Sequence, residues 1–200
     1  MSFADKGYEV VRNVIHDQTL QLLSTEFQML KDTEYWYRGL TDEFAFGDPQ
    51  IPESFSRYAP LCFESLMVIL RDRIAEVTGK NIEPAYSYAR IYYNGNILDK
   101  HIDRESCQYS ATICIQNDKE PWPIFMEDWK GNVNSVDLYP GDMIVYRGDK
   151  LNHWREKYEG NKQIQCFIHY VDVDDKYKDF INDRRPMLGL CDSTRKQIAK

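Results

Sequence analysis

The chain has 200 residues, a formal net charge of −7, 14 Tyr and 9 Phe. That length fits one domain with an aromatic-rich core, and the acidic balance argues against nucleic acid or an anionic membrane as the main partner. No apolar run reaches membrane-spanning length, and the opening "MSFADKGYEVV" lacks the basic and apolar segments of a secretory signal, so no membrane partner and a cytoplasmic location are expected. The five cysteines (Cys62, Cys107, Cys114, Cys166 and Cys191) are scattered, with no C-x-x-C pair. They read as reduced, mostly buried thiols, and no zinc ribbon is expected.

In chain order, "GYEVVRNVI" reads as a strand. "HDQTLQLLSTEFQMLKD" follows as a helix, with Leu20, Leu23, Phe27 and Leu30 at helical spacing and Asp17 as N-cap. "TEYWYRGLTDEFAFGDPQIPESF" is turn-rich and aromatic, and is expected to be a long surface loop, its aromatic part a lid. A second helix is predicted from about Pro60 to Thr78. Phe63, Leu66, Leu70, Ile74 and Val77 form its apolar stripe, and Gly79 sits just past its end.

From Tyr86 the texture changes. "AYSYARIYY", "SATICIQ", "WPIFMEDW", "SVDLY", "DMIVYRG", "LNHWREKY" and "QIQCFIHYV" are short, β-branched or aromatic segments between turn formers. "NVNS" and "YPGDM" read as turns, the second with Pro at its first corner. The fold class is therefore α+β, mostly β: a sandwich with N-terminal helices packed on one sheet. One domain spans 1–200, with a supporting strand and helices over 1–83, the β core over 84–172 and a C-terminal extension over 173–200.

The four histidines are His16, His101, His153 and His169. His16 lies at a helix start and reads as a capping or solvated residue. His169, in "CFIHYV", reads as a half-buried strand residue with a hydrogen bond. His101 is different. It stands two residues before Asp103, so on one strand both side chains would share a face. His153 follows 50 residues after Asp103. Two imidazoles and one carboxylate form the set that holds iron(II) on one face and leaves its other positions open. Taken alone, H-x-D is also the pattern of an exposed polar pair at a strand end.

Lys162 comes nine residues after His153, beyond the turn signal "YEGN". It shares a strand face with Ile164, Cys166 and Ile168, a face expected to line the interior. A lysine at the end of an apolar face calls for an anionic partner. Arg155, two residues after His153, is the rival for that anion, since its guanidinium grips carboxylates bidentately.

The stretches "RIYYNGNILDKHID", "LYPGDMIVYRGDKLNHW" and "GNKQIQCFIHYV" resemble the iron(II)- and 2-oxoglutarate-dependent dioxygenases, and are most similar to their prolyl 4-hydroxylase-like branch, over about Tyr88 to Val171. The resemblance implies a double-stranded β-helix, or jelly roll. It implies His101, Asp103 and His153 as iron ligands, Lys162 as partner of the 2-oxoglutarate C5 carboxylate, and Tyr93 as a hydrogen-bond donor to that co-substrate. It also implies Fe(II), 2-oxoglutarate and O2 in a hydroxylation that converts 2-oxoglutarate to succinate. The carboxylate at Asp103 favours hydroxylation over halogenation.

One departure is that "WPIFMEDWKGNVNS" lacks the Gly-Gly-acid-Thr run of the prolyl hydroxylases proper. By analogy the substrate is a prolyl residue in a peptide or protein, with a free amino acid or other small metabolite beside it. Arg147 and Trp154 flank the distal histidine, and Trp36 and Tyr37 lie in the aromatic stretch; these four are the candidate substrate contacts. The alternative is a non-enzymatic, cupin-like small-molecule-binding module. Nothing in the sequence sets an oligomeric state.

Overall fold

A computed structural model describes residues 2–38, 47–118 and 120–190, without the side chains of 37 and 38. A short helix, α1 (Phe3–Lys6), leads into β1 (Tyr8–Val11), α2 (Asp17–Arg38), β2 (Phe55–Tyr58) and α3 (Leu61–Thr78). Eight strands follow: β3 (Ile82–Tyr93), β4 (Leu98–His101), β5 (Tyr109–Asn117), β6 (Ile124–Glu127), β7 (Val133–Val136), β8 (Met143–Tyr146), β9 (His153–Arg155) and β10 (Lys162–Asp172).

The two long helices, α2 and α3, form where apolar residues recur at helical spacing. In α2, Leu20, Leu23 and Phe27 are buried. Asp17 is the first helical residue rather than the cap, and the His16 carbonyl accepts from Thr19 and Leu20 at 2.9 and 3.0 Å. The helix runs on through Arg38, so the first six residues of the expected loop are helical. The reason is the buried stripe: Tyr35 continues it and packs edge-on against Phe55 at 5.9 Å, and no Gly or Pro intervenes before Gly39. Residues 39–46, which hold most of the expected lid, lie outside the described residues. α3 ends as expected, at Gly79 in the left-handed region (φ +65°), whose N–H reaches the Ala75 carbonyl at 2.8 Å.

Among the described residues, ten strands make two antiparallel sheets, one in the order β1-β8-β5-β10-β3-β2 and one in the order β4-β9-β6-β7. From β3 to β10 the chain passes back and forth between two facing sheets, with β6 and β7 a hairpin within the smaller one, which is the jelly roll expected. The "YPGD" turn is present: Asp142 N–H donates to the Tyr139 carbonyl at 2.9 Å, across Pro140 and Gly141 at φ +89°. "NVNS" is not a turn. Val133–Val136 is strand β7, because the reversal is completed earlier. There the Asp128 carboxylate takes the N–H groups of Lys130 and Asn132 at 2.9 Å each.

α2 and α3 cover the outer face of the large sheet. Phe27 sits at the centre of that layer, 5.4 Å from the rings of both Phe55 and Phe63. Ile164, Cys166, Ile168 and Tyr170 of β10 belong to the same cluster, as do Ile91 of β3 and Ile113 of β5. The opposite, inward set on β10 is Gln163, Gln165, Phe167 and His169. The expected orientation of β10 is therefore reversed. Its apolar face packs beneath the helices and its polar face enters the interior, so Lys162 points away from the interior. No helix among the described residues is long and apolar enough to cross a membrane.

Candidate metal centre

β4 and β9 pair antiparallel with His101 directly opposite His153. That register brings the two imidazoles together, with ring centroids 4.3 Å apart. His101 ends its strand, so Asp103 does not lie on β4 as the two-residue spacing suggests. It follows the strand end, where its N–H donates to the Gly148 carbonyl at 2.9 Å. Its Oδ1 then lies 3.5 Å from His101 Nε2 and 3.6 Å from His153 Nε2. The three donor atoms fall within 4.8 Å of one another.

The backbone sets the tautomers. Nδ1 of His101 meets the Asp99 carbonyl at 2.7 Å, and Nδ1 of His153 meets the Leu151 carbonyl at 3.0 Å. A carbonyl only accepts, so each Nδ1 carries a proton, and Nε2 is the atom of each ring that can give up its proton and present a lone pair to a metal. Both lone pairs then serve the space beside Asp103. Burial pushes the Asp103 carboxyl up, but His153 and His101 outweigh it and hold it well below the usual carboxylate range. Burial also works against a charged His101, and the Asp103 and Asp99 hydrogen bonds overcome it, raising its pKa.

Asp103 keeps its orientation through Oδ2, which lies 3.4 Å from both the Ser110 and Tyr146 hydroxyls. Gly148 gives it room. A Cβ there would stand 2.6 Å from Asp103 Oδ2 and 2.5 Å from Ser110 Oγ. Gly148→Ala is therefore expected to displace the carboxylate and lower divalent-metal affinity by about 10–100-fold, the range typical of changes behind a ligand. Calorimetric titration with Mn(II) checks this.

The triad opens onto a pocket of about 610 Å3 including its mouth. Its wall includes Tyr86, Tyr88, Arg90 and Tyr92 from β3, Phe167 and His169 from β10, and Tyr146. His169 makes the hydrogen bond expected of it, with Ser110 Oγ 2.8 Å from its Nδ1. Burial pushes its imidazole down to about 4, so it is neutral near pH 7. Asp48 and Gln50 reach the pocket from the segment before β2.

The other sequence candidates divide. Arg155 faces the same way as His153 and is fully buried. One terminal nitrogen donates to the Trp122 carbonyl, and the guanidinium lies 4.9 Å from the Trp122 ring centroid. Its Nε and Nη2 have no hydrogen-bond partner among the described residues. Lys162 instead reaches Gln28 of α2, at 3.3 Å, and Tyr93 packs at the edge of the helix-side cluster.

Arg147 is held bidentately by Asp149, at 2.9 and 3.0 Å. Trp154, on the outward face of β9, stacks on Phe125 at 5.6 Å. Trp36 is exposed on α2, and the Tyr37 side chain lies outside the described part. None of Arg155, Lys162, Tyr93, Arg147, Trp154 and Trp36 lines the pocket; Arg155 lies beyond its wall, on the face of β9 that His153 shares. Arg90 and Asp48 in the pocket wall, and Ser110, Tyr146 and Gly148 beside Asp103, are residues of the candidate site that sequence patterns did not bring forward.

No family model matches the sequence, and no curated protein matches it. Solved structures do match by shape. A prolyl-4-hydroxylase from Pseudomonas putida superposes with a TM-score of 0.63 at 12% identity, covering 85% of this chain and 95% of that one. AviO1 from Streptomyces viridochromogenes gives 0.67 at 15% identity, over 86% and 92%. HygX from Streptomyces hygroscopicus, solved with nickel and 2-oxoglutarate bound, gives 0.65 at 12%, over 86% and 85%. By fold, then, the chain is a double-stranded β-helix of the type found in the iron- and 2-oxoglutarate-dependent oxygenases.

Proposed function

We propose that this protein is an iron(II)- and 2-oxoglutarate-dependent dioxygenase that hydroxylates an unactivated C–H bond. The reading is carried by the convergence of His101 Nε2, Asp103 Oδ1 and His153 Nε2, with both Nδ1 atoms tied to backbone carbonyls. Two neutral imidazoles and one ionised carboxylate suit iron(II) and leave room for further ligands. These three residues would hold the metal. When bound, iron and 2-oxoglutarate together supply the chemistry that puts one oxygen atom of O2 into the C–H bond and the other into succinate, with loss of CO2.

The chain's own contribution is binding and exclusion. Arg155 is a buried cation with two unused N–H groups. An isolated buried charge is costly, and an anionic ligand is the natural partner for it. We assign it to the far carboxylate of 2-oxoglutarate, in place of Lys162. Tyr86, Tyr88, Tyr92 and Phe167 wall the pocket and limit water around the reacting centre.

For substrate, the resemblance suggests a prolyl residue in a peptide, and three structural neighbours carry prolyl-hydroxylase names. HygX was also solved with hygromycin B bound, a small molecule on this fold. The charged groups of the present pocket favour the small-molecule side.

Anaerobic addition of Fe(II) and 2-oxoglutarate tests the reaction class. The expected result is a weak visible charge-transfer band at about a 1:1 ratio, followed in air by succinate formation that requires iron. A protein with neither response is a binding module rather than an enzyme of this class.

A further inference from the structure

The pocket contains one ion pair that the proposed reaction does not use. Arg90, on β3, has its side chain 3% exposed, and its partner Asp48 is 25% exposed. Both line the same pocket as the metal triad. Arg90 also donates to Tyr92 Oη and to Gln50 Oε1, each at 3.1 Å, and Tyr88 Oη donates to Asp48 Oδ2 at 2.5 Å. Arg90 Nε is buried and has no partner among the described residues. Asp48 is not free to leave. Its Oδ1 accepts from Gln50 and Ile51 N–H at 3.0 Å each. The turn behind it is tight, since a Cβ on Gly47 would stand 1.9 Å from the Ile51 carbonyl oxygen.

A substrate with a single charge fits this arrangement poorly. A carboxylate that drew Arg90 away would leave the half-buried Asp48 without a cation, and an ammonium that drew Asp48 away would strand the buried Arg90. A ligand that brings both charges avoids either penalty: its carboxylate takes the guanidinium, including the unused Nε–H, and its ammonium takes Asp48. The group with both charges one carbon apart is the α-amino acid head.

We propose that Arg90 and Asp48 form a seat for the zwitterionic head of a free α-amino acid, which is the substrate; this rests on the dioxygenase reading of the adjoining triad. Tyr88 and Gln50 hold the two charged groups in position, and the aromatic wall receives the side chain.

The experiment is calorimetric titration of the protein saturated with Mn(II) and 2-oxoglutarate, using the twenty L-amino acids singly. Each one that binds is then tested as its N-acetyl and its carboxamide derivative. At least one amino acid is expected to bind, and each derivative to bind about tenfold or more weakly, through loss of a charge-assisted hydrogen bond. Arg90→Gln and Asp48→Asn are expected to weaken the amino acid by a similar factor, while 2-oxoglutarate affinity moves by less than about threefold.

Derivatives that bind as well as the parent overturn the seat, and so does the absence of any binder when Mn(II) and 2-oxoglutarate still bind. The derivative comparison uses the unaltered chain, so it stands even if a variant fails to fold. Failure of Mn(II) or 2-oxoglutarate to bind overturns the reading of the triad itself, and the seat with it.

Discussion

Asp103→Ala is expected to abolish 2-oxoglutarate turnover and to weaken Fe(II) or Mn(II) binding by more than about 100-fold, beyond the 10–100-fold typical of residues behind a ligand. The substitution removes the one charged donor of the triad and leaves two neutral imidazoles 4.3 Å apart. It also deprives the Ser110 and Tyr146 hydroxyls of their shared acceptor. Asp103→Asn keeps the shape but not the charge, and an amide oxygen is a weaker donor to a hard cation. It should therefore lie between Ala and the parent in metal affinity, with turnover still lost. Metal titration followed by a succinate assay checks both. Hydroxylation retained by Asp103→Ala would count directly against the assignment.

The second large effect concerns Arg155. Arg155→Met is expected to raise the 2-oxoglutarate requirement by about 10–150-fold, corresponding to the ~1.5–3 kcal/mol of a hydrogen bond to a charged group. Metal affinity should change little, because Arg155 is not a ligand. Stability should hold or rise. The guanidinium is fully buried with two unused N–H groups, and replacing such a charge by an apolar chain of similar volume removes a desolvation penalty. A merely structural arginine would behave in the opposite way: its removal would lower the urea midpoint and spare the co-substrate. Lys162→Ala is the control. Its ammonium contacts Gln28 on the helix side, and the requirement for 2-oxoglutarate should stay within about twofold. Initial rates against 2-oxoglutarate, with urea unfolding in parallel, separate the cases.

The difference between Lys162 and Arg155 shows where the sequence was legible. Alternation along β10 separated Lys162, Ile164, Cys166 and Ile168 from Gln163, Gln165, Phe167 and His169, and the structure keeps those two sets. What alternation does not say is which set faces inward. The usual rule places the apolar set inside, and here that rule fails because β10 is buried on both faces. The helices take the apolar set, and the interior of the jelly roll, being the site, takes the polar one. By the same alternation His153 and Arg155 share the inward face of β9, so Trp154 points outward to Phe125.

The three residues of the candidate triad were readable as a group for a different reason. Few side chains serve a metal, so H-x-D with a distant His stands out against 200 residues containing four histidines. α3 was readable from its stripe and its glycine stop. The Arg90–Asp48 pair was not readable. Its members lie 42 positions apart, and neither sits in a distinctive local pattern. Only the approach of the segment before β2 to the inner face of β3 brings them together. Gly148 carries no sequence signal either, since its importance is the space beside Asp103.

The most direct measurement is anomalous diffraction from crystals grown anaerobically with Fe(II) and 2-oxoglutarate, collected at the iron edge. The expected result is one peak ligated by His101 Nε2, Asp103 Oδ1 and His153 Nε2. A peak held by other residues, or none at this position in fully loaded protein, would contradict the account.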